Sequence, residues 1–403
     1  MEDQKLLEDQ ILFASAATTG HDVDEAAAAL IREIDTQLEE RPLDLLLVFL
    51  SPHYRLSASV ISNKLRKGLK PRVLIGCTGE GIIGREQEIE QDSAVSVIGA
   101  SLPKVELKPF VLQSVDWQKT LDDSEVFRQT VGAPDDTKLF LMIADPFTTP
   151  MDLALDAFNS LYPNIPIVGG MASGSQRAGG NALLLNNHLL NNGAVGVALA
   201  GAFDIDVIVS QGCRPIGRAF TVTAARENVI FSLEGEPPLS RIQDLINELP
   251  TEDRELLQNG LFVGRAIDSG QETLGRGDFL IRGVMGIDQE SGALIVGDYV
   301  NDKETIQFHL RDAATAEEDL EMMLTPQLFY EPPSGGFLFS CNGRGTRLYD
   351  HPNGDISTIQ KVVGDIDLAG FFCAGEIGPI GGRNFLHGHT ASLVLFRPQV
   401  IDN

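Results

Sequence analysis

Leu45-Leu46-Leu47-Val48-Phe49-Leu50, a helical stretch, and then Val73-Leu74-Ile75-Gly76-Cys77-Thr78-Gly79-Glu80 set a pattern that recurs through this chain. Both runs are continuous and apolar, as expected of strands buried on two faces. The order returns in Leu139-Phe140-Leu141-Met142-Ile143-Ala144, a helical stretch, and Ile167-Val168-Gly169-Gly170-Met171-Ala172-Ser173. It returns again in Gly336-Phe337-Leu338-Phe339-Ser340-Cys341, a helical stretch, and Ala369-Gly370-Phe371-Phe372-Cys373-Ala374-Gly375-Glu376. Each unit closes with a further apolar strand: Ala94 to Gly99, Ala194 to Leu199 and Ala391 to Phe396. A helix between two such strands predicts a right-handed βαβ crossover. The last strand, after a Gly-rich turn, is a candidate antiparallel partner. In the second unit Thr149 is placed to cap the helix, Pro150 suits its first position and Pro163 bars continuation.

Two regions frame the units. Residues 22–40 read as an amphipathic helix: Asp22 and Glu25 have capping-box spacing, Leu30, Ile34 and Leu38 form a stripe, and Pro42 follows. Residues 277–310 read as an antiparallel β meander turning at Asp288-Gln289-Glu290-Ser291-Gly292, and a helix from Ala316 to Leu324 leads into the third unit. Composition places the best internal boundary near residues 225–235, with Glu234-Gly235-Glu236-Pro237-Pro238 as a linker or loop. The expected fold is mixed α/β, with repeated strand–helix–strand–strand units in two packed modules and an inserted β meander.

The 403 residues include 57 Asp and Glu against 31 Lys and Arg, a formal net charge of −26. Phosphate recognition needs Lys/Arg-rich faces, so the excess argues against nucleic acid and against anionic lipid as partners. Hydrophobic content of 43% suffices for a sizeable core. Cys77, Cys213, Cys341 and Cys373 are dilute and form no CxxC pair, which speaks against a disulfide framework or a structural zinc site. Met1-Glu2-Asp3-Gln4-Lys5 lacks the basic start of a signal peptide, and no window reaches the ~20 apolar residues of a membrane span. A cytoplasmic location is expected.

In α/β sheets, ligands bind at the C-terminal ends of strands, where backbone N–H groups and helix N-termini point outward. Here those loops hold Ser51 to Arg55, Cys77 to Gly84, Asp145 to Thr148, Met171 to Gly180, Cys341 to Gly345 and Cys373 to Asn384. Cys77-Thr78-Gly79-Glu80 aligns with Cys373-Ala374-Gly375-Glu376, and the second unit has Gly170-Met171-Ala172-Ser173 at that place. A thiol and a carboxylate there can polarise a ligand. They can equally be a duplicated turn, with Cys as a small buried hydrophobe and Glu capping N–H groups. Asn342-Gly343-Arg344-Gly345 reads as a tight turn aiming Arg344. In the segment 378–390, Arg383 offers a fork for a carboxylate and Asn384 follows it. His387 and His389, two apart, would face one side of a strand. With no third ligand nearby, a hydrogen-bonding role outweighs a metal one. A Cys373–His387 nucleophile–base pair is the minority reading. There is no P-loop, no GxGxxG in a strand–turn–helix frame and no GxSxG elbow. No metal or cofactor is expected, and no catalytic set is assigned. The candidate ligand-binding residues are Cys77, Glu80, Ser173, Asn342, Arg344, Cys373, Glu376, Arg383, Asn384, His387 and His389.

These residues resemble the FIST family (F-box and intracellular signal transduction proteins). Residues 73–81 and 167–170 are similar to its N-terminal module. Gly277 to Arg282, Gln307 to Asp312, Gly370 to Pro379 and Asn384 to His387 are similar to its C-terminal module. The resemblance covers about residues 40–400 and implies residues 1–40 as a lead-in, 41–228 as the N-terminal-like module and 229–403 as the C-terminal-like module. It further implies a sensory module for a small ligand, an amino acid or related metabolite, acting in signal transduction. Too few residues precede the first helix for an F-box, so ubiquitin recruitment is not expected and output is expected through a signalling or recruitment partner protein. The alternatives are an interaction scaffold and a thiol-dependent enzyme. The enzyme requires an exposed thiol of lowered pKa.

Overall fold

The computed structural model describes residues 10–117, 120, 124–271 and 273–399. The stretch Met1 to Lys5, read as lacking a signal-peptide start, and residues 400–403 lie outside them. The chain forms two compact units. One comprises residues up to 209, 321–386 and from 390 onward; the other comprises 210–320 and 387–389.

The larger unit is a threefold repeat. The first repeat runs β1 (Leu12–Thr19), α1 (Val23–Leu38), β2 (Leu45–Leu50), α2 (Ala58–Leu69), β3 (Val73–Thr78), a hairpin of β4 (Gly81–Ile83) and β5 (Glu88–Glu90), and β6 (Ala94–Ser101). The second runs β7 (Val105–Leu112), α3 (Ser124–Val131), β8 (Thr137–Ala144), α4 (Met151–Leu161), β9 (Ile167–Met171), a hairpin of β10 (Leu183–Leu185) and β11 (His188–Leu190), and β12 (Ala194–Gly201). The third opens with β13 (Phe203–Ser210).

The other unit then intervenes in the sequence: β14 (Cys213–Arg226), β15 (Val229–Leu233), α5 (Pro238–Glu248), α6 (Thr251–Leu256), β16 (Phe262–Ala266), β17 (Phe279–Ile287), β18 (Leu294–Val296) and β19 (Thr305–Arg311). The chain returns to the larger unit within α7 (Ala313–Leu324), at residue 321, and the third repeat resumes with β20 (Gly335–Cys341), α8 (Gly354–Val363), β21 (Leu368–Cys373), β22 (Glu376–Ile380), β23 (Arg383–His387) and β24 (Ala391–Pro398).

The predicted pairings hold. β2–β3, β8–β9 and β20–β21 are parallel, and the closing strands β6, β12 and β24 lie antiparallel to β2, β8 and β20. The sheet orders show what pattern reading did not. They are β1-β6-β2-β3-β10-β11, β7-β12-β8-β9-β22-β23 and β13-β24-β20-β21-β4-β5. Each repeat builds four strands of its own sheet and gives its hairpin to another: the first to the third, the second to the first, the third to the second. The three sheets share one inner core, in which Phe49, Ile75, Leu141, Val168, Phe339 and Phe371 are fully buried. Outer cores back the first sheet with α1 and α2, and the second with α3 and α4.

Local signals set the starts of two helices, α1 and α7. Asp22 caps α1, its carboxylate accepting the N–H groups of Asp24 and Glu25, and Leu30, Ile34 and Leu38 are buried. At α4 the expectation for Thr149 fails. Pro150 occupies the cap position and no side chain caps the helix. The helix predicted over 316–324 begins at Ala313, where Asp312 accepts the backbone N–H of Thr315.

The second unit closes β14-β15-β18-β17-β16-β19 into an antiparallel barrel around Val222, Ile230, Val263, Ile306 and Phe308. The predicted meander supplies β17, β18 and β19. Residues 225–235, read from composition as a boundary, are the turn and second strand of the β14–β15 hairpin. Their polar residues face outward from a barrel wall that is apolar on one side only. On the face of β19 opposite Phe308 and Leu310, beside the Phe279 ring, burial pushes the His309 imidazole down to about 4. Among the described residues no helix is long and apolar enough to cross a membrane.

Candidate functional site

Each repeat of the larger unit passes from its own sheet to the next through one loop after its second parallel strand, and the three loops meet. The Ser173 hydroxyl, from the second repeat, accepts the backbone N–H of Glu80 from the first at 2.7 Å and donates to the carbonyl of Phe372 in the third. The Glu80 carboxylate accepts from Asn342 Nδ2 at 3.0 Å and pairs with the guanidinium of Arg347. Of the candidate ligand-binding residues, Glu80, Ser173 and Asn342 are thus brought together, and Arg347, not among the candidates, joins them. Its only sequence signal is its place in the turn that begins at Asn342.

The two Cys-x-Gly-Glu stretches do not occupy equivalent places. Register pairs Gly76 with Val48, Gly169 with Met142 and Gly370 with Leu338. A Cβ on any of these glycines would overlap the carbonyl oxygen of its partner, so the three mark one position in each repeat. Counting from them, Cys77 matches Gly170 and Phe371, whereas Cys373 matches Gly79. The offset of two preserves strand face. Both thiols therefore enter the inner core, fully buried. Glu376 takes the place of Ile82 and Leu183 in the exchanged hairpins and is fully buried, its Oε2 accepting the N–H of Thr390 at 3.2 Å. Burial pushes the Cys77 and Cys373 thiols up, and Glu376, Cys77 and Cys341 push Cys373 further. A thiolate nucleophile needs the opposite environment.

Arg344 sits in the expected tight turn, its N–H bonded to the carbonyl of Cys341 at 2.8 Å, but the turn aims it inward. It is fully buried against Asp355, with Nε 2.9 Å from Oδ2 and Nη2 2.6 Å from Oδ1. Tyr349 and Ser340 donate to the same carboxylate at 2.8 and 2.6 Å. Glu88, from the hairpin given by the first repeat, caps α8 by accepting the N–H groups of Asp355 and Ile356. Burial raises the Asp355 carboxyl, and Arg344 overrides this and holds it below its usual range. Burial and the Asp355 charge push Glu88 up to about 8. This cluster joins two repeats and is closed to solvent. It fixes structure rather than presenting a free guanidinium.

Arg383 and Asn384 stand at another junction of repeats. Asn384 Oδ1 accepts the N–H of Ile167 at 2.7 Å, and its backbone and side chain bond reciprocally with Asn159 on α4. Every polar group of Asn384 is engaged, which makes it a lock. Arg383 is exposed and donates to Asp156 Oδ1 at 2.7 Å. The pair lines an open cavity of about 490 Å³ with Asn159, Ser160, Asn164, Gly381 and Gly382. His387 ends β23, and His389 lies beyond the strand at a positive φ, so the expected shared strand face is not formed. Both fall in the second compact unit, where the His389 ring stands edge-on to Phe262 at 4.6 Å. Among the described residues no three His, Cys, Asp or Glu side chains are gathered to hold a metal.

Models of the FIST N domain and the FIST C domain match residues 44–236 and 238–379. The chain belongs to the FIST family. Its relatives include an uncharacterized protein of Mycobacterium tuberculosis, 40% identical over 336 residues, which are 82% of this chain and 85% of that protein. An uncharacterized protein of Mycobacterium bovis is 39% identical over 348 residues, 85% and 88% of the two chains. Among solved structures, cyanuric acid hydrolase is similar to this FIST protein with a TM-score of 0.35 and 9% identity, covering 96% of this chain and 100% of that one. A likeness at that level assigns no chemistry. FIST domains are generally sensory domains of signalling proteins.

Proposed function

We propose that this FIST protein is a cytoplasmic sensory module that binds a small zwitterionic metabolite of the amino-acid class and passes the signal to a partner protein. One observation carries the reading: the Arg383–Asp156 pair at the open cavity beside α4. Both side chains are at least half exposed, so opening the pair costs little. A bound amino acid would place its carboxylate on the Arg383 fork and its ammonium on Asp156. Each protein charge then exchanges one partner for another, and none is left unpaired. The cavity lies where α4 of the second repeat meets β23 of the third, held by Asn159 and Asn384. A ligand there bears on two repeats at once, which gives binding a route into the fold.

Thermal unfolding across a panel of amino acids, carboxylates and nucleotides tests this. A ligand at a hundred times its Kd adds about 2.7 kcal/mol to native stability. The expected result is a shift selective for amino acids that vanishes in Arg383→Ala. In Asp156→Asn the preference should move from zwitterions towards plain carboxylates. No shift with any metabolite at millimolar concentration would sink the reading.

A further inference from the structure

At the N-terminus of α4 lies an open cavity of about 400 Å³ that shares no lining residue with the Arg383 cavity. Ser114, Val115, Trp117, Thr149, Pro150 and Asn192 are among its walls. The loop from β8 into α4 forms one side, so the cavity sits at a strand's carboxyl end, where α/β sheets bind ligands. Two independent observations meet there. No side chain caps α4, and among the described residues the N–H groups of Met151 and Leu153 have no partner. An uncapped first turn directs such donors out of the helix end. Thr149, which the sequence offers as the cap, does not serve as one. It is 7% exposed, it lines the cavity, and its hydroxyl has no partner. The Thr148 hydroxyl beside it is saturated, donating to Asp145 at 2.7 Å and accepting the N–H of Gly193 at 2.9 Å. A buried hydroxyl without a bond is costly, so Thr149 calls for an acceptor brought by a ligand.

Charge narrows the class of that ligand. The walls carry no charged side chain. An anion would meet the negative charge of Asp145, which is buried and bonded to Thr148, and of Asp152 in the first turn of α4. A cation would find no carboxylate in the walls to pair with. We infer that this cavity binds a neutral saccharide, its oxygens accepting from the Thr149 hydroxyl and the first-turn N–H groups of α4, and the apolar face of its ring against the Trp117 indole. A sugar hydroxyl both donates and accepts, so it satisfies these donors without burying a charge. Trp117 supplies a large rigid surface, braced edge-on by Phe127 at 6.0 Å. A cavity of this size suits a small ligand. The inference is independent of the amino-acid ligand proposed above, which has its own cavity.

Trp117 is the sole tryptophan of the chain, so its fluorescence reports on this cavity alone. The full chain is titrated to tens of millimolar with the methyl glycosides of glucose, galactose, mannose and N-acetylglucosamine, and with benzoate and uracil for comparison. A saturable change in Trp117 emission is expected with at least one glycoside and with neither benzoate nor uracil. Thr149→Val keeps the shape and removes the hydroxyl. It should weaken the glycoside about tenfold or more, while the free protein melts no lower than the parent, because the lost hydroxyl had no partner in it. Thr149→Ser keeps the hydroxyl and should keep the binding. No response to any glycoside overturns the inference, as does a response to benzoate or uracil in place of one. Binding unchanged in Thr149→Val, or a free Thr149→Val protein that melts well below the parent, overturns it too, the latter by showing that the hydroxyl serves the fold.

Discussion

The hydroxyl of Ser173 lies 2.7 Å from the amide nitrogen of Glu80, ninety-three residues away, and donates onward to the carbonyl of Phe372. One buried side chain thereby ties the crossing loops of the first two repeats to β21 of the third.

Ser173→Ala is expected to leave the Glu80 N–H without its partner in a poorly hydrated place. The cost should be about 1–3 kcal/mol, read as a lower urea midpoint at unchanged slope. A variant as stable as the parent would mean that the junction relaxes without the hydroxyl.

Gly76, Gly169 and Gly370 stand where a Cβ would enter the carbonyl oxygen of the facing strand. Backbone cannot give way as a flexible side chain can. Gly370→Ala should cost about 3 kcal/mol or more, in the range of severe core strain. Gly283→Ala in the barrel, where nothing lies within 4 Å of the new methyl, should stay within about 1 kcal/mol. Equal effects of the two would contradict the steric role assigned to Gly370.

Glu88 makes stability depend on pH. Its folded-state carboxyl is pushed up to about 8 from an ordinary 4.5, first by burial and then by the charge of Asp355. The folded state therefore holds the proton more tightly than the unfolded chain. The sign follows: this contribution is complete below about pH 4.5 and is lost as pH rises through about 8. Glu88→Gln keeps an acceptor for the Asp355 and Ile356 N–H groups and removes the titration. Denaturation from pH 5 to 9 should show the parent losing stability of the order of a few kcal/mol relative to Glu88→Gln. Parallel curves would exclude Glu88 as the titrating group.

Burial and the raised pKa of Cys77 and Cys373 predict slow alkylation. At neutral pH both should react with iodoacetamide far more slowly than a free thiol, rising to its rate only on unfolding. One fast-reacting cysteine in the native chain would reopen the thiol-enzyme alternative.

The sequence by itself determined the threefold grammar. Continuous apolar runs such as Leu45–Leu50 and Gly336–Cys341 can only be strands covered on both faces, and the helix between paired runs makes them parallel. Asp22 marked the start of α1 because a capping carboxylate acts within three residues. Tertiary structure alone decided the hairpin exchange. Strand periodicity states which side is apolar and says nothing of which edge a strand joins. The even offset between Cys77 and Cys373 leaves no mark in the pattern for a related reason, since a slip of two leaves every side chain on its face. The buried cluster of Arg344, Asp355 and Glu88 was equally out of reach. The capping bond from Glu88 to Asp355 spans 267 residues, and a buried ion pair is defined by the desolvation around it, which exists only once the three sheets have closed on one another.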